Sequence, residues 1–231
     1  MLRRHGHALV AGVDEAGRGA WAGPVVAGAV ILPDLPLAVL RALLPGLNDS
    51  KLLTPAQREA LRPRILAVAV AAGVGGANAG EIDAHGIVAA TRAAMARAIA
   101  ALLPAPDALL IDALPLPALL LPQRVLFHAD ALCLSVAAAS VLAKCARDHY
   151  MVHLDVAVPG YEFARHKGYG TAGHKDALAR LGPSAAHRMS YAPLREHVST
   201  RAREHVSTPD PNAKNPSPID HDVVKSSFTL A

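Results

Sequence analysis

Three short apolar segments, each followed closely by a carboxylate, constrain the fold of this chain more than any other feature. The segments are residues 8–13, 108–111 and 125–127. Each has the length of a buried strand, and helical patterns lie between them. Strands that alternate with helices predict an α/β layered fold around a central sheet. Because only 3% of the residues are aromatic while 52% are hydrophobic, the core must be built from Ala, Val and Leu.

The rest of the chain up to residue 195 also shows local patterns. Gly23-Pro24 marks a turn into a second apolar run, residues 25–32, so a β-hairpin with the first strand is expected. Thr54, followed by Pro55 and Gln57, is typical of a helix start. The remaining predicted elements are a helix over 56–62, a strand over 65–74, and helices over 87–103 and 135–154.

Charge and composition change near residue 195. Residues 1–195 carry 19 Lys and Arg against 14 Asp and Glu, and this surplus is compatible with a nucleic-acid partner. In the region 196–231 the pentapeptide Glu-His-Val-Ser-Thr occurs twice among Pro-, Asn- and Ser-rich residues, which predicts a disordered tail. No membrane-spanning segment or secretion signal is recognised, so we expect a cytoplasmic protein. No sequence pattern signals an interface, so we expect a monomer.

The acidic residues after the apolar runs are candidates for a metal site. Asp14 and Glu15 end the first run, and Asp112 ends the second. Carboxylates are the hard oxygen ligands that divalent cations prefer, but a calcium loop or a turn with an incidental ion pair fits Asp14 and Glu15 equally well. Asp130 follows the third run, where a helix-capping role is the alternative.

Five motifs extend this pattern from Val10 to Leu194. They are Asp14-Glu15-Ala16-Gly17-Arg18-Gly19, then Asp49-Ser50-Lys51, then Ala143-Lys144 with Arg147-Asp148, then His166-Lys167-Gly168-Tyr169-Gly170-Thr171 with His174, and finally His187-Arg188. In this order they resemble the ribonuclease HII family.

The resemblance implies a ribonuclease H-like fold over residues 1–195, with a mixed central β-sheet flanked by helices and a small, substrate-binding helical part at its C-terminal end. It also implies an endonuclease that hydrolyses the RNA strand of RNA·DNA hybrids and cuts 5′ of single ribonucleotides in duplex DNA. The products would carry 3′-hydroxyl and 5′-phosphate ends. Asp14, Glu15, Asp112 and Asp130 match the family's four catalytic acids, which would hold Mg²⁺ or Mn²⁺ for two-metal catalysis.

The resemblance also implies substrate-binding residues. Gly17, Arg18 and Gly19 would read the ribose 2′-hydroxyl through backbone groups, the feature that separates RNA from DNA. Tyr169 would pack against the sugar beside the ribonucleotide, although a surface turn residue is the alternative. Lys51 and Lys144 would contact phosphates unless they are simply solvated. Asp148 is interpreted as an ion-pair partner, too distant from Asp130 to join the acids.

Two departures from the family pattern flank the acids. His128-Ala129 precedes Asp130 where glycine, often with lysine before it, is usual, and Ala113-Leu114 follows Asp112 where Gly-Asn is common. Neither departure removes one of the four acids.

A function of a different class is the alternative, namely a non-catalytic protein that holds hybrid duplexes through its basic face and the Gly17–Gly19 segment. It would bind in a salt-sensitive way without metal-dependent cleavage.

Overall fold

A five-stranded mixed sheet lies at the centre of the protein. The computed structural model describes residues 2–48 and 50–196; Asp49 and residues 197–231, all but the first residue of the expected tail 196–231, lie outside them. The strands are β1 (Val10–Ala16), β2 (Val25–Ile31), β3 (Ala71–Ala77), β4 (Ala108–Asp112) and β5 (Gln123–Leu126). Their spatial order is β3-β2-β1-β4-β5. The β1, β2 and β3 pairings are antiparallel, whereas β1 with β4 and β4 with β5 are parallel.

Helices cover both faces of this sheet. They are α1 (Leu37–Leu43), α2 (Pro55–Val68), α3 (Ala79–Ala100), α4 (Ala129–Leu132), α5 (Leu134–Ala157), α6 (Phe163–His166) and α7 (Ala172–Leu181). One apolar core joins α3 to one face of the sheet, and a second joins α5, α2 and α1 to the other. A third cluster joins the end of α5 to α6 and α7. The expected mixed sheet flanked by helices, with a small helical C-terminal part, is confirmed.

Glycines let the two long helices approach the sheet closely. A Cβ atom at Gly28 would stand 2.3 Å from the Ala139 carbonyl oxygen of α5. On the opposite face, a Cβ at Gly75 would stand 2.4 Å from the Ala94 carbonyl oxygen of α3. Backbone-to-backbone packing of this kind fills the interior without large side chains, which explains how so few aromatic residues suffice.

Most of the predicted strands and helices are confirmed, with shifted ends. The β1–β2 hairpin forms as expected, and the second predicted strand of the acidic set, Ala108–Asp112, is present. Thr54 begins α2 through a capping box with Gln57. The range of α3 begins at Ala79, where Asn78 and Glu81 form a capping box, but its path breaks at Gly86 (φ +78°), and the helix predicted from residue 87 is the segment that follows this break.

The predicted strand over residues 65–74 is wrong in its first half. Residues 65–68 continue α2, and β3 begins only at Ala71. Leu61 and Ile65 lie on the buried stripe of α2, where they contact the core that α5 also lines. This tertiary contact outweighs the strand preference of the β-branched residues.

Among the described residues, no helix combines the length and apolarity needed to cross a membrane.

Candidate active site

The sheet brings two of the predicted acids side by side. Asp14 lies in β1 and Asp112 is the last residue of its parallel neighbour β4. Because Val13 pairs with Ile111, the next residues on the two strands, Asp14 and Asp112, are adjacent. Two acids that end separate apolar runs therefore meet at one end of the sheet.

Asp14 is a buried carboxylate, with 5% of its surface exposed. The Glu15 N–H donates to its Oδ1 at 2.7 Å, and the Ser140 hydroxyl on α5 also bonds to it. Burial is the main cause that raises the pKa of Asp14 to about 8, and the negative charges of Glu15 and Asp112 add to it. Holding Asp14 ionised at neutral pH therefore calls for a compensating positive charge.

Glu15 leaves one carboxylate oxygen without a protein partner. Its Oε1 accepts from Arg18 Nη1 at 3.2 Å, whereas its buried Oε2 has no hydrogen bond within the described part of the chain. Burial raises the pKa of Glu15, the Arg18 charge opposes this shift, and Asp112 reinforces it. A buried acceptor with no partner is costly unless a cation or water satisfies it.

Asp130 lies on the far side of Asp112 and is connected to it through the backbone. The Ala129 N–H donates to Asp112 Oδ1 at 2.8 Å, so the residue that precedes Asp130 is bonded to the acidic pair. Asp130 is 2% exposed, and its Oδ2 lies 3.5 Å from Lys51 Nζ. Lys51 also acts electrostatically on Glu15, so one ammonium influences both carboxylates.

The four acids have the chemistry of a divalent-cation site. Over residues 2–48 and 50–196, no three His, Cys, Asp or Glu side chains already stand in a ligating arrangement. Asp14, Glu15 and Asp112 nevertheless interact electrostatically, and Glu15 Oε2 is an unused buried acceptor. These hard oxygen donors fit Mg²⁺ or Mn²⁺, which would supply the missing positive charge.

The Gly17–Gly19 segment directly follows β1, and its first residue is buried in a backbone conformation that favours glycine. Gly17 has φ +90° and is buried, whereas Gly19 is exposed and a Cβ there would meet no atom within 4 Å. The Arg18 side chain is 40% exposed and pairs with Glu15. The segment therefore joins the acids to an open surface.

Tyr169 lies on a loop bonded to the chain that follows this segment. The N–H groups of Trp21 and Ala22 donate to the Gly168 carbonyl oxygen at 2.8 and 3.3 Å. The Tyr169 residue is 36% exposed, and the Arg147 guanidinium carbon is 5.3 Å from its ring centre. The loop that carries Tyr169 is thus bonded to the chain just after Gly17–Gly19, and the Tyr169 ring lies near the Arg147 guanidinium.

The two lysines differ in their surroundings. The Lys51 side chain is 70% exposed, whereas that of Lys144 is 23% exposed and bonds to Asp148 Oδ1 at 2.6 Å. Lys144 is therefore neither solvated nor unpaired, although its Nζ is 5.9 Å from the Tyr169 ring centre. Asp148 also pairs with Arg58 at 3.4 Å, which confirms its interpretation as an ion-pair residue.

Sequence reasoning gave no role to two buried arginines, Arg147 and Arg188, both with 0% exposure. Arg147 Nε donates to the Pro24 carbonyl oxygen at 2.9 Å, and Arg188 also bonds to backbone carbonyls. Both stood within the recognised motifs, but their partners are main-chain atoms. The sequence around Arg147 and Arg188 does not indicate that their side chains bond to backbone carbonyl oxygens.

Comparisons with known proteins agree with this site. The family model described as Ribonuclease HII matches residues 11–194. A ribonuclease HII from Roseiflexus castenholzii is 56% identical over 190 residues, which are 82% of this chain and 84% of that protein. The crystal structure of the ribonuclease H2 from Pyrococcus horikoshii OT3 matches with a TM-score of 0.70 at 26% identity, covering 84% of this chain and 99% of that chain.

A further solved structure, Bst-RNase HIII in complex with Mn²⁺, shares the fold at 21% identity with a TM-score of 0.65, covering 84% of this chain and 70% of that chain. The family match covers the acids, the Gly17–Gly19 segment and Tyr169 alike. The chain belongs to the ribonuclease HII family and is a ribonuclease H-type endonuclease.

Proposed function

We propose that this endonuclease hydrolyses the RNA strand of RNA·DNA hybrids and cuts 5′ of single ribonucleotides embedded in duplex DNA, leaving 3′-hydroxyl and 5′-phosphate ends. The observation that carries the proposal is the adjacency of two features. A buried acidic cluster lies at the end of β1, and the Gly17–Gly19 segment leaves the same strand toward Tyr169. The first feature suits phosphodiester hydrolysis, and the second suits recognition of a ribose.

The proposed catalytic residues are Asp14, Glu15, Asp112 and Asp130, which would hold two divalent cations, Mg²⁺ or Mn²⁺. Bound there, the cations would lower the pKa of the attacking water and offset charge on the phosphate and on the leaving 3′ oxygen. The protein fixes the carboxylates through Ser140, the Glu15 N–H and the Ala129 N–H. The Mn²⁺ complex of Bst-RNase HIII supports this choice of cofactor.

The remaining proposed residues bind the substrate. Backbone groups of Gly17, Arg18 and Gly19 would contact the ribose 2′-hydroxyl, and Tyr169 would pack against the adjacent sugar. Lys51, with its exposed side chain, and Lys144, beside Tyr169, would contact phosphates. All of these groups come from one chain, so we propose that the monomer is the active unit.

The test is a denaturing gel of a labelled DNA duplex that contains one ribonucleotide, incubated with the protein and Mg²⁺ or Mn²⁺. We expect one cut, 5′ of the ribonucleotide, that EDTA abolishes and that an all-DNA duplex does not show. A long RNA·DNA hybrid is examined alongside. Cleavage of the hybrid with an uncut ribonucleotide duplex would restrict the function to continuous RNA, and equal cleavage of all-DNA would refute the proposed specificity.

A further inference from the structure

Arg188 is a buried arginine whose donors are taken up by the loop after β1. Its Nη2 donates to the Gly17 carbonyl oxygen at 2.7 Å and its Nη1 to the Arg18 carbonyl oxygen at 2.8 Å. Its Nε donates to the Gly23 carbonyl oxygen at 3.0 Å. A buried guanidinium requires partners for its fixed fork of donors, and this loop supplies them over a sequence separation of 170 residues.

Tyr191 donates a second hydrogen bond to the same loop. Its hydroxyl donates to the Arg18 carbonyl oxygen at 2.5 Å and accepts from Arg188 Nη1 at 3.0 Å. The turn that carries both residues is anchored to α3, because the Asp83 carboxylate accepts from the N–H groups of Met189 and Ser190, each at 2.9 Å. Arg188 and Tyr191 therefore have an anchor outside the loop they contact, and the Arg188 N–H also donates to the Trp21 carbonyl oxygen within that loop at 2.8 Å.

These contacts favour one direction for two peptide groups, and the Ala20 N–H, which donates to the Gly17 carbonyl oxygen at 3.3 Å, supports the first of them. In a planar trans peptide the N–H points opposite to the carbonyl oxygen. With the carbonyls of Gly17 and Arg18 turned toward Arg188, the N–H groups of Arg18 and Gly19 face the other way. Within the residues that the structure describes, neither N–H donates a hydrogen bond, and Gly19 is exposed. Two oriented donors are thus available to a ligand.

We propose that Arg188, assisted by Tyr191, is a positioning residue for ribose selectivity: it fixes the two peptide groups so that the Arg18 and Gly19 amides meet the 2′-hydroxyl. The inference rests on the proposed function, in which this segment reads the ribose. It assigns the C-terminal part of the domain a role in selectivity although Arg188 itself touches no substrate. Loss of the contact lets both peptides rotate, so ribose binding weakens while phosphate contacts are retained.

The test compares binding of two duplexes by full-length protein carrying Asp14→Asn to prevent cleavage. Fluorescence anisotropy gives Kd for a duplex with one ribonucleotide and for its all-DNA match, and the ratio of the two is the selectivity. We expect Arg188→Lys, whose single ammonium cannot reach three carbonyls, to lower the selectivity about tenfold, and Tyr191→Phe to lower it about threefold. The all-DNA Kd should stay within about twofold of the parent's.

Tyr161→Phe is the matched control. The Tyr161 hydroxyl donates to the Gly182 carbonyl oxygen at 2.6 Å in the same C-terminal part, so the hydrogen bond that this variant removes is not one to Gly17 or Arg18. This variant should lose comparable thermal stability and keep the parent selectivity. An effect on selectivity as large as that of Tyr191→Phe would overturn the positioning role.

The outcomes separate the two proposals. A parent protein with no preference for the ribonucleotide duplex would refute the proposed function and, with it, the role of Arg188. A parent with a clear preference that both variants retain would overturn the role of Arg188 alone. If thermal unfolding shows that Arg188→Lys does not fold, Tyr191→Phe decides the question, because it removes one hydroxyl and leaves the guanidinium in place.

Discussion

Arg147 lies directly against Gly17: a Cβ atom at Gly17 would stand 2.0 Å from Arg147 Nε and 2.5 Å from its Cδ. Arg147 cannot move aside easily, because it is fully buried and its Nη2 donates to the Ala22 carbonyl oxygen at 3.2 Å. Gly17 also has φ +90°, a conformation that side chains disfavour. The first residue of the segment proposed to read ribose is therefore confined to glycine by two independent constraints.

We predict that Gly17→Ala will lower the free energy of unfolding by about 2–4 kcal/mol and abolish cleavage, because overlap with Arg147 adds to backbone strain. Gly19→Ala is the matched control, since a Cβ there meets no atom within 4 Å. It should change stability by less than about 1 kcal/mol. Urea denaturation of both variants checks the prediction, and equal stability losses would contradict it.

Substitution of Asp14 by asparagine should lower the cleavage activity without lowering the stability of the fold. We predict that Asp14→Asn will reduce cleavage at least about a hundredfold, because a proposed metal ligand is lost. Its melting temperature should stay level or rise, because with its pKa raised to about 8 the Asp14 carboxyl must take up a proton on folding at neutral pH, and asparagine avoids this cost. Asp176→Asn, on the exposed side of α7, is the control and should keep full activity. Full cleavage by Asp14→Asn would refute the assignment of Asp14.

Substitution by glycine should have opposite effects on stability at Ala113 and at Ala129, the residues next to Asp112 and Asp130 that depart from the family pattern. Ala113 has φ +53°, a left-handed conformation that costs a residue with a Cβ about 1–2 kcal/mol. Ala113→Gly should therefore stabilise the protein by about 0.5–1 kcal/mol, after the entropy cost of glycine in the unfolded chain. Ala129→Gly, at the buried start of α4, should destabilise it by about 1 kcal/mol. Denaturant midpoints of the two variants that shift in the same direction would contradict this assignment.

The strands that carry the acids were predictable because their signal is local. An apolar run of strand length that ends at Asp112 contains all that is needed to place β4. The end of α2 was not predictable in the same way, since Ile65 is helical through its contacts with the core shared with α5. The short helical segment of α3 before Gly86 was not predicted either, because the non-helical Gly86 separates it from the longer segment that follows.

The arginines beneath the Gly17–Gly19 segment show a second limit of sequence reasoning. Arg147 and Arg188 bond to carbonyl oxygens, which every residue possesses, so no residue type in the loop identifies their partners. The acids, by contrast, are recognisable as candidates because carboxylates are the residue type that a divalent-cation site requires. A sequence therefore indicates which side chains do chemistry more readily than which ones hold the backbone in place.

Hydrogen bonds determine the tautomer of each histidine in a buried pair near Tyr169. His174 Nδ1 lies 3.0 Å from the Tyr169 carbonyl oxygen, to which it must donate, so its Nε2 is an acceptor when the ring is neutral. His187 Nδ1 accepts from the Ser184 N–H at 3.0 Å, so its Nε2 carries the proton and donates to His174 Nε2, also at 3.0 Å. A proton added to His174 would bring two N–H groups face to face.

Acid should consequently destabilise the protein through His174. Burial is the main cause that lowers the pKa of His174 from 6.5 to about 4. Between these values the unfolded chain binds a proton that the folded protein does not, so stability is fully present above about pH 6.5 and falls as the pH drops toward 4. We predict a loss of about 1–3 kcal/mol across this window. Urea denaturation from pH 4 to 7 should show a shallower pH dependence for His174→Gln than for the exposed control His153→Gln; identical slopes would show that His174 does not titrate as described.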